Sequence, residues 1–581
     1  MTPTRPWLLA LTISVAACAP GCDDWAWDLG HPRSKVSPEA SDLTRPTSAA
    51  LRDTIGEYTT IEGMRKMHLR GYGVVVGLGD KGSTECPRAV RDQLLKDMYK
   101  RPQFLRAGSG SGALTPERML DDQDTAIVLV EGEVPAAAVA GSRFEVMVSA
   151  LPGTETTSLR GGRLFTCDLE IYRMLTANAG ITGKSLARAA GPVFLNPFAD
   201  RPDAATRAAG RIGRVIGGGV VTTDRRIRLV AFVPSYSKVR QIASRLNTRF
   251  PDPQKLADPT SPSYVQLRMP GKYADDPKHF LDVVRHLYLP QRAGFEATRA
   301  RQLAEEIVGK NPPYEDIALA WEGIGRTILP TVQELYSHAN PEVSYYAALA
   351  GLRLEDSLAV ETVARHAGDP QSVHRFEAIR ALGKARTLPR AARPLRSLLD
   401  DAEPDVRIAA YEALLDRGDT IVASHPVGSD NFILDLVPSS GEDLVYAKRT
   451  GQRRIAVFGD NLRLQPPLFY AHPSGELTLN SYDGTATITV FHKSPHPGMD
   501  FPTAEADFDL VKLIELLGSD PPRRSTDSAK GLSVDYETMI HLLHELCDMG
   551  SLKARFQLQQ PSLTEMFGPS RPTDRPESEL K

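Results

Sequence analysis

The chain has 581 residues, which at about 150 residues per domain leaves room for three or four domains. Hydrophobic residues make up 41% of it, enough for ordinary packed cores, and 44 Pro with 45 Gly point to many turns and several linkers. Lys and Arg (69) nearly balance Asp and Glu (72) at a formal net charge of −3, so there is no global basic field and no nucleic acid is expected as a partner.

At the N-terminus, Arg5 precedes an apolar run over residues 7–15 that is followed by small residues. This is the pattern of a secretory signal peptide, too short to span a bilayer. Val15-Ala16-Ala17-Cys18 fits a bacterial lipobox, in which Cys18 is lipidated and becomes the mature N-terminus. The alternative is a plain signal peptide cut near Ala17. Cys22 fits less well, because Ala19-Pro20-Gly21 has no aliphatic residue at the third position before it. Acyl chains on Cys18 would anchor the protein to a membrane, and Ala19 rather than Asp at the next position favours the outer membrane. Residues 1–17 are therefore assigned to a lipoprotein-type signal peptide. Residues 18–50, polar and carrying Pro32, Pro38 and Pro46, are assigned to a tether. No other stretch reaches about 18 continuous apolar residues.

Residues 51–290 mix strand and helix signals. Strands are expected at 73–78, 125–130, 143–149, 163–172, 227–233 and 264–269, and helices at 88–99, 237–250 and 277–287. From 291 to 419 the strand signals vanish, and Ala, Leu, Arg and Glu recur at helical spacing. Asn340-Pro341-Glu342-Val343, Asp369-Pro370-Gln371-Ser372-Val373 and Glu403-Pro404-Asp405-Val406 each predict a helix start with Pro in the first turn. Each is followed by an Ala/Leu face: Ala347, Ala348, Leu349 and Leu352; Ala378, Ile379, Ala381 and Leu382; Ala409, Ala410, Ala413 and Leu414. The openings recur about every thirty to thirty-four residues, as in HEAT-type repeats, whose units bury a face only by stacking on neighbours.

A small β domain is expected over 420–500, with strands at 431–437, 454–458, 476–480 and 485–492. Two helices, 505–517 and 536–549, are expected within 501–552, and a polar, Pro-rich disordered tail over 553–581. The fold class is multidomain α+β: a mixed α/β body, a helical repeat segment, and a C-terminal β domain with two helices.

Several motifs combine residue types that catalysis, cofactors or metals use. Gly77-Leu78-Gly79-Asp80-Lys81-Gly82 matches half of a dinucleotide fingerprint, but no second strand ends in an acidic residue about 20 residues on, so a chain-turning Gly loop is the better reading. His541, His544 and Cys547 share a helix at metal-ligand spacing, yet the pattern is not H-E-x-x-H, and Leu542, Leu543 and Leu546 read as a core-packing face. Asp121, Asp122 and Asp124 read as surface charge in a loop. There is no G-x-S-x-G and no P-loop. No catalytic residue, metal site or cofactor is expected. Of the five Cys, Cys86 and Cys167 could pair in an oxidising compartment, which spacing alone does not settle, with Cys547 left as a buried free thiol.

Three stretches resemble one known family. The first is Thr60-Ile61-Glu62-Gly63-Met64-Arg65, followed by Leu69-Arg70-Gly71-Tyr72-Gly73-Val74-Val75-Val76-Gly77-Leu78. The second is Gly141-Ser142-Arg143-Phe144-Glu145-Val146-Met147-Val148-Ser149-Ala150, then Ser158-Leu159-Arg160-Gly161-Gly162-Arg163-Leu164. The third and weaker is Gly213-Arg214-Val215-Ile216-Gly217-Gly218-Gly219, with residues 229–234 and the helix to Phe250. Together they resemble the P-ring protein of the bacterial flagellar basal body over residues 54–290. The resemblance implies a structural subunit of a homo-oligomeric periplasmic ring around the flagellar rod, set in peptidoglycan, with rod and outer-ring proteins as partners. Such a subunit would present sheet edges and flat faces to identical neighbours. Residues 291–581 and the lipobox have no counterpart in the family pattern. The alternative function is a lipid-anchored envelope scaffold that binds a protein partner through its helical repeats.

Overall fold

A computed structural model describes residues 49–101, 115–171, 185–196, 210–493, 503–521 and 531–560. The expected signal peptide, Cys18 and residues 561–581 of the expected tail lie outside the described residues. None of the helices among the described residues is long and apolar enough to cross a membrane.

The first part of the chain contributes β1 (Thr59–Glu62), β2 (Met67–Val76), β3 (Thr125–Val134), β4 (Arg143–Ala150), β5 (Arg163–Ile171), β6 (Ser185–Pro192), β7 (Ile212–Val221), β8 (Ile227–Ala231), β9 (Ala257–Ser261) and β10 (Tyr264–Leu267). Six of them close into a barrel in the order β2-β3-β4-β7-β6-β5, with every neighbouring pair antiparallel. Alternation along each strand decides its interior. Leu69 and Val75 of β2, Val128 and Val130 of β3, Val146 and Val148 of β4, and Leu164, Cys167 and Leu169 of β5 share one buried cluster.

Closure depends on β2 meeting β5. Their register shifts between Leu69↔Ile171 and Val75↔Leu164, which bends the seam. Gly71 and Gly73 lie in that bend. A Cβ on Gly71 would collide with the Asp168 carbonyl oxygen, and one on Gly73 would lie 2.9 Å from Leu164 Cδ1. Outside the wall, the helix Arg88–Tyr99 lays Leu94 and Met98 against Val74 and Ile127.

The strands expected at 73–78 and 143–149 offer no free edge through β2 and β4. Both lie inside the closed barrel, paired on either side. A period-2 pattern defines a strand's faces and is silent on its neighbours.

The remaining strands of this part form a four-stranded sheet ordered β1-β8-β10-β9. Helices Tyr236–Arg249 and Pro277–Arg285 pack on it through Val239, Ile242, Leu246, Phe280, Val283 and Val284. Ser235 and Asp276 cap them, their side-chain oxygens accepting from the amides of Lys238 (3.4 Å) and His279 (3.2 Å).

The repeat segment follows with helices Phe295–Ile307, Tyr314–Ile324, Pro341–Arg353, Ala359–Gly368, Arg375–Lys384 and Pro404–Arg417. The expected Ala/Leu faces point into one core, with Ala381 and Ala409 at its margin. Pro341 and Pro404 open their helices as expected, and the Asn340 side chain accepts from the Glu342 amide at 3.0 Å. Pro370 does not: it sits in a turn, and the helix starts at Arg375. The same core takes in Leu51 and Tyr288 at one end and Val437, Leu444, Tyr446 and Phe458 at the other, so folded neighbours cover both ends of the stack. Ala50, expected in the tether, is already packed here, and its carbonyl accepts from the Tyr288 hydroxyl.

The C-terminal module adds β11 (Ala423–Val427), β12 (Phe432–Val437), β13 (Leu444–Ala447), β14 (Arg454–Phe458), β15 (Leu468–Ala471), β16 (Leu477–Ser481), β17 (Ile488–His492), β18 (Thr503–Ala506) and β19 (Arg555–Leu558). One sheet runs β11-β12-β14-β13-β19 and the other β15-β16-β17-β18. Helices Leu510–Gly518 and Tyr536–Asp548 fill the core with Leu513, Ile514, Leu517, Met539, Ile540, Leu542, Leu543 and Leu546. Two expectations fail here. Glu505 belongs to β18 rather than to a helix, because Asp509 caps the helix that follows. The start of the expected disordered tail is β19, which pairs in parallel with β13.

Candidate functional site

The first two of the resembling stretches meet at one end of the barrel. Residues 158–162 form a tight turn ahead of β5. The Ser158 hydroxyl accepts from the Arg160 amide at 3.1 Å, and the Gly162 amide donates to the Leu159 carbonyl at 3.2 Å. Leu159 is fully buried in the barrel core. Gly161 holds φ at +75° with open space around it, whereas a Cβ on Gly162 would lie 2.5 Å from both Leu78 Cδ2 and Val75 Cγ1. The Gly-Gly pair is therefore a turn residue followed by a close-packing residue, and the second locks this loop onto the end of β2.

Arg160 turns outward from the loop onto the C-terminal module. Its guanidinium pairs with Glu537 Oε1 at 2.8 Å, the two side chains being 17% and 4% exposed. The other carboxylate oxygen accepts from the Leu195 amide at 3.1 Å. The Phe194 ring lies 6.2 Å from that of Tyr536, and Phe194 and Ile216 join the C-terminal core. Farther along, Glu145 accepts from the amides of Gly451 (2.8 Å) and Gly217 (3.0 Å). A cleft of about 240 Å³ remains between the parts, lined among others by Arg163, Phe194, Asn431, Arg453 and Tyr536. Arg453 donates to the Asp430 carbonyl at 2.7 Å, and burial lowers its pKa.

Gly71 and Gly73 serve the seam, with Tyr72 on the outer face of β2 beside the Arg88–Tyr99 helix. The Gly77–Gly82 loop turns the chain, and the Asp124 carboxylate accepts from the amides of Gly77 (3.2 Å) and Gly79 (2.5 Å). Those amides, which would cradle phosphate in a nucleotide loop, thus hold a side chain of this protein. Asp124 is accordingly more than surface charge, while Asp121 pairs with Arg91 at 2.8 Å.

The Cys86–Cys167 bridge is not formed; both thiols are free. The barrel wall separates them. Cys167 points inward with Leu164 and Leu169, and Cys86 packs outside with Tyr72, Val76 and Phe165. Burial pushes the Cys167 thiol up to about 12 and raises that of Cys86. Cys547 is also free, half-buried against the C-terminal core, with its thiol pushed up to about 12 by burial. His541 turns away from it: the Tyr470 hydroxyl lies 2.9 Å from His541 Nδ1, and His472 packs edge-on at 4.9 Å between ring centroids. His544 packs on Phe556.

Glu537, Glu145 and Phe194 carry the docking and were not anticipated. Glu537 sits in the first turn of a helix, where an acid is expected for the helix dipole alone, so nothing local marks it.

The barrel and the β1-β8-β10-β9 sheet form a unit with a recognisable sequence. Residues 54–295 match the flagellar P-ring protein family. Residues 328–415 match HEAT repeats. The region that matches therefore spans the barrel and the neighbouring α/β layer. The chain is 28% identical over 309 residues to the flagellar P-ring protein of Rhodopseudomonas palustris strain BisB5, covering 52% of this chain and 76% of that protein. It is 26% identical over 305 residues to flagellar P-ring protein 1 of Bradyrhizobium diazoefficiens, covering 51% and 75%. With the flagellar P-ring protein of Caulobacter vibrioides it shares 26% over 308 residues, covering 51% and 74%. The HEAT match starts after helices Phe295–Ile307 and Tyr314–Ile324, which nevertheless share the repeat core.

Proposed function

We propose that this protein is a structural, non-catalytic subunit of the flagellar basal body that assembles with copies of itself into a periplasmic ring around the rod. The observation that carries the reading is the family match over residues 54–295, which coincides with the barrel and α/β layer as a folded unit. In that unit the matched motifs do structural work. Gly71 and Gly73 allow the seam to close, and Gly161 and Gly162 turn and lock the loop. With the barrel closed, strand addition between neighbours is left to the outer strands of the other sheet, β1 and β9. Lipidation of Cys18 would hold the ring to the outer membrane, with peptidoglycan and the rod as its surroundings.

The test is electron microscopy of the purified mature protein in detergent. Closed rings of uniform diameter support the reading; particles that stay monomeric at every concentration refute it. Metabolic labelling with a fatty-acid analogue, compared in wild type and Cys18→Ser, decides the lipid anchor.

A further inference from the structure

The β15-β16-β17-β18 sheet has one face in the C-terminal core, formed by Leu468, Tyr470, Leu477, Leu479, Ile488 and Val490. The side chains of its other face are, among the described residues, exposed or half-exposed. Among the described residues, three of the exposed aromatic side chains lie there: Phe469 (65% exposed), Tyr482 (69%) and Phe491 (47%). Register places Phe469 opposite Asn480, Asn480 opposite Thr489, and Thr478 opposite Phe491. Two strand spacings and a two-residue stagger separate Phe469 from Phe491 by about 12 Å. The Tyr482 hydroxyl accepts from Asn480 Nδ2 at 3.3 Å, so this ring leans along the face beside the amide.

Within the strands, the only charge this face carries is Glu505 of β18, at one margin. A nucleic acid or an anionic lipid surface would call for cations that these strands do not supply. A dry apolar partner is disfavoured for a different reason: Thr478, Asn480 and Thr489 interleave the rings and would lose water without new hydrogen bonds. The occupant must be uncharged, must offer flat C–H faces to the rings, and must bring hydroxyl or amide groups to the polar side chains between them. A β-1,4-linked polysaccharide has this chemistry. Its extended ribbon presents pyranose C–H faces, with equatorial hydroxyls at its edges.

We propose that the outer face of the β15–β18 sheet is a binding surface for an uncharged β-1,4-linked glycan chain, stacked on Phe469, Phe491 and Tyr482 and hydrogen-bonded by Asn480, Thr478 and Thr489. The surface lies outside the P-ring region, so the proposal stands or falls apart from the ring reading.

Titration calorimetry of the full mature chain with cellohexaose and chitohexaose tests it, with maltohexaose as the helical α-linked comparison. The expected result is binding of at least one β-linked hexamer in preference to maltohexaose, weakened tenfold or more in Phe469→Ala and Phe491→Ala. Both rings are exposed, so the variants should keep the wild-type melting profile, and that profile checks their folding. Absence of binding to either β-linked hexamer, or binding unchanged in both variants, overturns the proposal. So does self-association in sedimentation that Phe469→Ala abolishes, since the face would then be an interface between copies.

Discussion

Arg160→Met removes the cation that faces Glu537 across the joint between barrel and C-terminal module. The Glu537 side chain is 4% exposed, so its carboxyl group would be left buried without its cation, with only the Leu195 amide still bound. Removing one partner of a buried pair costs about 3–5 kcal/mol. At about 1.4 kcal/mol per factor of ten, that raises the opening equilibrium of the joint by two to three and a half orders of magnitude. Glu537→Gln should cost less, about 1–3 kcal/mol, because the amide side chain can still accept from Leu195 and Arg160, 17% exposed, keeps some water. The double variant should be better than the sum of the two, since no unpaired charge remains. Native-state hydrogen exchange at the Leu195 amide reads the joint directly and avoids assigning one unfolding free energy to a chain with several cores. An unchanged Leu195 exchange rate in Arg160→Met, or strictly additive variants, would refute the assignment of this pair as the latch.

Other consequences follow from the same geometry. Gly162→Ala should lower the thermal midpoint by overpacking against Val75 and Leu78, at about 1–3 kcal/mol, whereas Gly161→Ala meets open space and costs only the backbone strain of φ +75°, about 1–2 kcal/mol. Glu322 links the α/β layer of residues 54–295 to the repeats. Burial alone would raise its pKa, but the His279 hydrogen bond at 2.9 Å and charge, with Arg353 and Arg249, hold it below the usual carboxylate value. A depressed folded pKa means stability that is fully present above about pH 4.3 and lost as pH falls through the folded value. Acid unfolding followed at Trp321 should therefore shift to higher pH in the destabilised His279→Ala variant. Thiol titration should find Cys86, Cys167 and Cys547 all free, with Cys86 alkylated before Cys167; a mass deficit of one disulfide within these three would contradict the free thiols.

Much of the fold was legible where local pattern decides it. The repeats declared themselves through Pro341 and Pro404 and the Ala/Leu faces behind them, because a helix writes its burial at a period its own sequence shows. The Gly-flanked β2 and the alternating β4 were equally plain. Barrel closure was not, since it rests on β2 meeting β5 across a shifted register and on β6, whose Ala-rich Ser185–Pro192 stretch carries little strand propensity. β19 was read as tail because four residues of mixed polarity become a strand only by pairing with distant Leu444–Ala447. The site was half legible. The Ser158–Gly162 motif was singled out, but its partner Glu537 lies 377 positions beyond Arg160 and looks locally like any helix-starting acid. The Cys86–Cys167 pairing stayed open in the sequence because sequence does not say which side of a barrel wall a thiol occupies.

Electron microscopy of basal bodies isolated from cells carrying an affinity-tagged copy decides whether this chain builds a ring around the flagellar rod. The tag is expected in a closed ring at the periplasmic level of the rod, with density beyond residues 54–295 for the repeats and the C-terminal module. Intact basal bodies without the tag, in cells that express the protein, would contradict it.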